Sequence, residues 1–263
     1  MNQHDSEIFQ EIVKALRNGY KVALCTIVEK KGSGPRNIGA KMIVYRDGRT
    51  LGSIGGGNLE RIIMEEALKA MNKNESKTIT LSLGGGEGIE TGLICGGSIK
   101  VFIDIINPNP KLIIVGSGNV AKPLAEIANI VGFEITIVDD NPNTATKDRF
   151  PTANKIIINE DLAKGLNEAN LDEESFIAIV HGDVNKEYEV LKNVLKGKAR
   201  YIGLLGSRRK GAELKRKLIE DGFKEGDVER IKVPIGIDIN AETPEEIAIS
   251  IMAELIMNLR CKK

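Results

Sequence analysis

In the stretch SEIFQEIVKALRNG, apolar residues recur three and four positions apart, at Ile8, Phe9, Ile12, Val13 and Leu16. This period predicts one packed face of a helix, with Ser6 at its N-cap and Gly19 closing it. The pattern then shifts. KVALCTIVEKK and AKMIVYRDGRTLGSIG are dense in β-branched residues and predict strands, with Asp47-Gly48 as the hairpin turn inside the second run. A helical period returns in NLERIIMEEALKAM, and two further strand-like runs, KTITLSL and SIKVFIDII, flank GGGEGIETGLICGG. Residues 1–106 therefore read as a small α/β domain with glycine-rich connections.

NPNPK at 107–111 reads as a linker, because each proline lacks an N–H and biases the residue before it away from helix. Beyond it, strands are predicted at 112–116, 134–138, 155–158, 175–180, 200–205 and 231–235, and helices at 119–131, 186–196, 208–221 and 244–258. Such alternation predicts a parallel sheet covered on both faces, hence a doubly wound, Rossmann-like domain over 112–263.

LIIVGSGNVA places Gly116, Gly118 and Ala121 in a GxGxxA pattern between a strand and a helix. Gly116 permits a tight turn, Gly118 lets backbone approach a pyrophosphate, and Ala121 lets the helix lie close to the strand. The helix N-terminus adds free N–H groups. Asp139 ends the next strand, where an acid accepts from ribose hydroxyls, and Asp140 beside it would repel the 2′-phosphate of NADP. NAD(P) is thus one candidate cofactor, although a Rossmann fold can persist without that ligand.

FIAIVHGD puts His181 and Asp183 directly after a buried strand, where such sheets bind ligands. The pair reads either as acid–base machinery or, for His181, as a residue that only caps or hydrogen-bonds the next helix. In YIGLLGSRRKGAELKRKL, Ser207 reads as an N-cap, and Arg208, Arg209 and Lys210 crowd the first helical turn. Each exposed cation there opposes the helix dipole by about 0.3–1 kcal/mol. A bound anion would relieve the conflict, and so would plain solvation. Near the end, Thr243, Pro244 and Glu246 form a capping box with proline at the first helical position.

Composition narrows the function classes. The 37 basic and 37 acidic side chains balance, and aromatic residues make up 4% with no Trp, which argues against nucleic acid as a partner. No apolar run approaches the roughly 20 residues needed to cross a bilayer, and the N-terminus carries acids where a signal peptide has an apolar core. A cytoplasmic protein without membrane insertion is expected. Cys25, Cys95 and Cys261 are too scattered for a disulfide framework, and two histidines, His4 and His181, make a zinc site of His and Cys ligands improbable.

Three stretches of the first domain remain: KKGSGPRNIGAK, GSIGGGNLE and LICGG. Their glycines accompany Ser33, Arg36, Asn58, Glu60 and Cys95, with Gly55, Gly56, Gly57, Gly96 and Gly97 among them. Glycine clusters where backbone must approach a ligand or adopt positive φ. The loops suit a polar, phosphate-bearing small molecule, with Arg36 as a bidentate grip and GGGNLE as a source of amides; they also suit plain tight turns.

These residues resemble the xanthine dehydrogenase accessory factor family (XdhC/CoxI) over nearly the whole chain. GSGPRNIGAKM is similar to that family's GSxPRxxGA segment, GSIGGGNLE to GSxSGGCxE, and CGG at 95–97 to its second cysteine motif. HGDVNKEYEVL, YIGLLGSRRK and PIGIDINAETPEEIAISI resemble its strand-end histidine, its YxGxxGSxxK loop and its PxGLDIGAxTPEEIAxSI ending. The resemblance implies a non-catalytic maturation factor that binds the molybdenum cofactor (molybdopterin), supports its sulfuration and inserts it into an apo xanthine dehydrogenase or related molybdenum hydroxylase. It also implies a homodimer, a cysteine desulfurase as a further partner, and a Rossmann-like part that completes the cofactor cleft. Cys95 is then either a molybdenum ligand or a small buried thiol. Where the family often has a second Cys, this chain has Asn58, which can only hydrogen-bond. The competing reading is an NAD-dependent oxidoreductase, with Gly116, Gly118 and Asp139 on the dinucleotide and His181 as acid–base group; a nucleotide-responsive binding protein is a third.

Overall fold

The computed structural model describes residues 3–84, 88–92 and 96–260; Cys95 and Cys261 lie outside them. The chain divides into two compact units, Met1–Asn109 and Pro110–Lys263.

In the first unit, α1 (Gln3–Arg17) leads into β1 (Val22–Lys31), β2 (Lys41–Tyr45), β3 (Thr50–Gly52), α2 (Gly57–Lys73), β4 (Lys77–Ser82), β5 (Ile89–Glu90) and β6 (Ser98–Ile106). The sheet runs β3-β2-β1-β6-β4-β5. Its pairs are antiparallel except β4 with β5. Side chains alternate across a strand. Accordingly Ala23, Cys25 and Ile27 of β1 pack under Leu59, Ile63 and Ala67 of α2, while Val22 packs with Ile8, Ile12 and Ala15 of α1 on the opposite face.

Two expectations about α1 need correction. The helix begins at Gln3, so Ser6 lies inside it rather than at the N-cap. Its buried stripe is Ile8, Ile12 and Ala15, whereas Phe9 and Val13 are 43% and 46% exposed. Each stands one residue beyond the stripe, about 100° further round the helix, and faces away from the sheet.

The second unit runs β7 (Lys111–Val115), α3 (Ala121–Ile130), β8 (Glu134–Asp139), β9 (Lys155–Ile158), α4 (Leu162–Glu168), β10 (Phe176–Ile179), α5 (Val184–Val194), β11 (Tyr201–Leu204), α6 (Arg208–Glu220), α7 (Glu225–Val228), β12 (Ile231–Lys232) and α8 (Pro244–Arg260). Every pairing is parallel, in the order β12-β11-β10-β7-β8-β9. This is the doubly wound Rossmann order, with its switch point between β7 and β10. Leu112 and Ile114 of β7 pack with α3 and α8, while Ile113 and Val115 pack with α4, α5 and α6, so both faces are covered. The strand expected over 231–235 stops at Lys232, two residues before Pro234, which has no N–H for the ladder. Among the described residues, no helix is long and apolar enough to cross a membrane.

The Cys25 thiol lies fully buried beneath α2, and burial pushes its pKa up to about 12. It is neutral across the working pH range, and the thiolate is the reactive form. Iodoacetamide at pH 8 is expected to spare Cys25 in the native protein and to alkylate it on unfolding, read by peptide mass spectrometry; rapid native labelling at Cys25 would contradict its place in the core.

Candidate functional site

The first unit gathers its three glycine-rich stretches at one end of the sheet. A Cβ on Gly97 would stand 2.4 Å from the carbonyl oxygens of Lys31 and Ser33, so only glycine lets these two loops touch. Gly97 O accepts from Leu83 N–H at 2.8 Å, and Gly96 N–H donates to Leu83 O at 2.9 Å, which holds the third stretch beside β4. The middle stretch meets the first at Gly55 (φ +148°), whose Cβ would lie 2.6 Å from Pro35 Cγ. Asn58 Nδ2 donates to Thr91 O at 2.6 Å and links α2 to the loop before β6. Ser33, Arg36, Gly55, Gly56, Gly57, Asn58, Gly96 and Gly97 thus belong to one loop cluster.

Glu60 organises this cluster from within. Its Oε1 accepts from Ser53 Oγ at 2.8 Å and from the N–H groups of Ile54, Gly55 and Gly56 at 3.0, 3.2 and 2.8 Å. Burial raises its pKa and is the largest single influence, yet these four donors together hold it below the usual range. The amides expected to await an outside anion are therefore partly taken by a carboxylate of the chain itself. Those of Gly57, Asn58 and Leu59, in the first turn of α2, have no intrahelical acceptor. Arg36 is exposed, and no side-chain bond or ion pair engages it among the described residues. Asn58 is committed: besides Thr91, its Oδ1 accepts from Arg61 Nε and Nη2 at 3.0 and 2.7 Å. Composition and spacing did not single out Ser53 or Thr91, because only the fold puts them within reach of Glu60 and Asn58.

In the second unit, Gly116 (φ +113°) closes β7, with its N–H on Val138 O at 2.9 Å. A Cβ there would stand 2.7 Å from His181 Cα, so the glycine answers to the neighbouring strand as well as to the turn. Gly118 has open space around it, and Ala121 is buried at the start of α3. Arg149, which carries no sequence signal, donates from Nε to Ser117 O at 3.1 Å and from Nη2 to Gly118 O at 3.3 Å.

His181 is engaged at both ring nitrogens. Asp183 N–H donates to Nδ1 at 3.3 Å, which leaves the proton on Nε2 to be donated to Asp140 Oδ1 at 3.2 Å. The tautomer is assigned from that network. Lys186 ion-pairs with the other Asp140 oxygen. Asp183 is the N-cap of α5, accepting from Asn185 and Lys186 N–H at 2.9 and 3.2 Å. Asp139 is only 3% exposed and accepts from Asn141 N–H at 2.7 Å. Ligand atoms of Asp139, Asp140 and His181 lie within 4.8 Å of one another, but a lysine ammonium already neutralises Asp140 and a proton sits on the imidazole nitrogen that would bind a metal.

Ser207 caps α6 as expected, accepting from Lys210 N–H at 3.2 Å, and Arg208 is exposed. Lys210 turns inward instead of toward an anion: its ammonium pairs with fully buried Glu187 and donates to Leu205 O at 3.1 Å. Glu187 Oε1 in turn accepts from Gly182 N–H at 2.9 Å. A buried carboxylate needs such partners, since an unpaired one would be expelled or protonated.

The XdhC Rossmann domain matches residues 112–255, and the XdhC and CoxI family matches residues 15–84. The chain belongs to the XdhC and CoxI family. It is similar to the uncharacterized protein YqeB of Escherichia coli K12, 32% identical over 95% of this chain but only 46% of that one, so it spans about half the length of that relative. It is also similar to the molybdenum cofactor insertion chaperone PaoD of the same organism, 27% identical over 94% of this chain and 86% of that one. A crystal structure described as a xanthine dehydrogenase from Bacillus halodurans superposes with a TM-score of 0.56 at 25% identity, covering 96% of each chain. The family match covers the first two glycine-rich stretches and the switch point, the regions that carry the geometry above.

Two outcomes are expected. Glu60→Ala strands three amides and a hydroxyl and should lower stability by about 1–3 kcal/mol in urea denaturation; an unchanged midpoint would contradict the organising role. Asp140 has burial raising its pKa, outweighed by the bonds from Lys186 and His181, which hold it down to about 2 against an ordinary 3.8. A carboxylate with a depressed folded pKa stabilises fully above its unfolded value and loses that contribution as pH falls through the folded one. The stability gap between wild type and Asp140→Asn should therefore be complete above about pH 4 and close between about pH 4 and 2, measured by urea titration at each pH.

Proposed function

We propose that this protein is a molybdenum-cofactor insertion chaperone for a xanthine dehydrogenase-type enzyme, a maturation factor and not a catalyst. The observation that carries the reading is the convergence of three glycine-rich loops in the first unit, with the first α2 amides and the Arg36 guanidinium unengaged among the described residues. Similarity to PaoD over 94% of the chain supports the choice of cargo. The donor set fits the phosphate of a pterin cofactor: neutral N–H groups at a positive helix end, an arginine unpaired among the described residues, and glycines that leave backbone bare.

In this reading Arg36 and the amides of Gly57, Asn58 and Leu59 bind the phosphate, and Ser33 and Gly96 border it. Glu60 holds the loop in shape and gives no ligand. Cys95 is proposed as the sulfur ligand near molybdenum, the soft donor that Asn58 cannot be. When bound, the cofactor supplies the metal centre that the client enzyme uses. Sulfuration while the cofactor is held, a cysteine desulfurase as sulfur source, a homodimer and a cytoplasmic location complete the proposal. Against the oxidoreductase reading stand the engagement of both His181 nitrogens and the capping role of Asp183.

The test is an anaerobic titration of the full chain with free molybdenum cofactor, following bound pterin and molybdenum. Wild type should bind stoichiometrically. Arg36→Ala removes charge-assisted hydrogen bonds of about 1.5–3 kcal/mol and should weaken binding about tenfold or more with an unchanged unfolding midpoint. Cys95→Ala should lower molybdenum retention more than pterin retention. Equal affinity in Arg36→Ala would remove the phosphate assignment, and no binding by wild type would remove the chaperone reading.

A further inference from the structure

A Rossmann sheet offers a crevice above the carboxyl ends of the two strands at its switch point, here β7 and β10, and a dinucleotide normally lies there. The residues of this chain do not fit one. The acid that should receive the ribose hydroxyls is Asp139, which is 3% exposed and has its Oδ1 held by the Asn141 N–H. The next acid, Asp140, follows β8, while His181 and Lys186 follow β10. Since β7 lies between β8 and β10, the bonds from His181 and Lys186 to Asp140 pass over the end of β7. That is the end at which Gly116 touches the His181 backbone.

The charges agree with this geometry. Asp139, Asp140 and Asp183 are the carboxylates around the crevice; Lys186 is the ammonium set among them, and the Arg149 guanidinium is tied to the Ser117 and Gly118 carbonyls. A pyrophosphate would compete with Asp140 for Lys186, its only ammonium partner among the described residues. Glu187 likewise occupies the Gly182 N–H, an amide that could otherwise face the crevice.

We infer that Asp140, His181 and Lys186 form a clasp that stands in the place of the dinucleotide and joins the two halves of the sheet, so that this Rossmann unit works without NAD(P). The clasp joins the ends of β8 and β10 across β7, a side-chain link added to the β7–β10 ladder that already pairs the two halves. This inference is independent of the chaperone reading, because it concerns only side chains of the second unit.

The experiment has two arms on the full-length protein. NADH and NADPH are titrated by nicotinamide fluorescence, and NAD+ and NADP+ by calorimetry, up to about 1 mM, the weak end of useful affinity. No saturable binding of any of the four is expected, and saturable binding of one overturns the inference. In the second arm, Lys186→Met and Asp140→Asn are each expected to lower Tm by about 2–4 °C, and the double variant by less than the sum of the two, because both changes break the same Lys186–Asp140 pair. Unchanged Tm in both single variants overturns the clasp. Should a variant fail to fold, the wild-type titrations still decide.

Discussion

Gly97 has two carbonyl oxygens 2.4 Å from where a Cβ would stand, and Gly116 has the His181 backbone 2.7 Å from the same imaginary atom. At both places main chain lies on main chain, and any side chain would force the loops apart. The rest of each site depends on that closeness. In the first unit it brings the loop after β1 against the loop before β6, so that residues far apart in sequence frame one end of the sheet. In the second it sets the end of β10 beside the end of β7, which is what allows His181 and Lys186 to reach Asp140.

Carboxylates then do the ordering. Glu60, Glu187 and Asp140 each sit where an anion from outside could be imagined, and each is instead held by donors of the chain: backbone amides for Glu60, an ammonium and an amide for Glu187, an ammonium and an imidazole for Asp140. A charge taken from water must be paired, and the pairing fixes the loop that carries it. The two units differ in what this leaves over. In the first, Arg36 and the first turn of α2 remain unengaged among the described residues; in the second, the charged groups at the switch point satisfy one another.

Membership of the XdhC and CoxI family frames one departure. At the position where the family often has cysteine, Asn58 donates to Thr91 O and accepts from Arg61. An amide can do both at once, and a thiol is a weak donor and weak acceptor. Asn58 is a tether between α2 and the loop before β6.

The sequence by itself determined the class of the fold and most of its long elements, because their periods are long enough to register. SIKVFIDII and residues 155–158 form strands with the expected bounds, and the GxGxxA turn lies between a strand and a helix. β5, α4 and α7 escaped, since each completes too few repeats to show a period and none is rich in the β-branched residues that marked the short strands. It also marked the glycine-rich loops, but as a set of possibilities, because glycine shows only that backbone needs freedom or nearness, not what it is near. Only the tertiary structure decided that Glu60 binds its own loop, that Lys210 turns inward to Glu187, that Asp139 is buried, and that Phe9 and Val13 face away from the sheet. Those outcomes depend on partners distant along the chain, and hydrogen bonds and ion pairs are satisfied by proximity in space, which residue spacing does not encode.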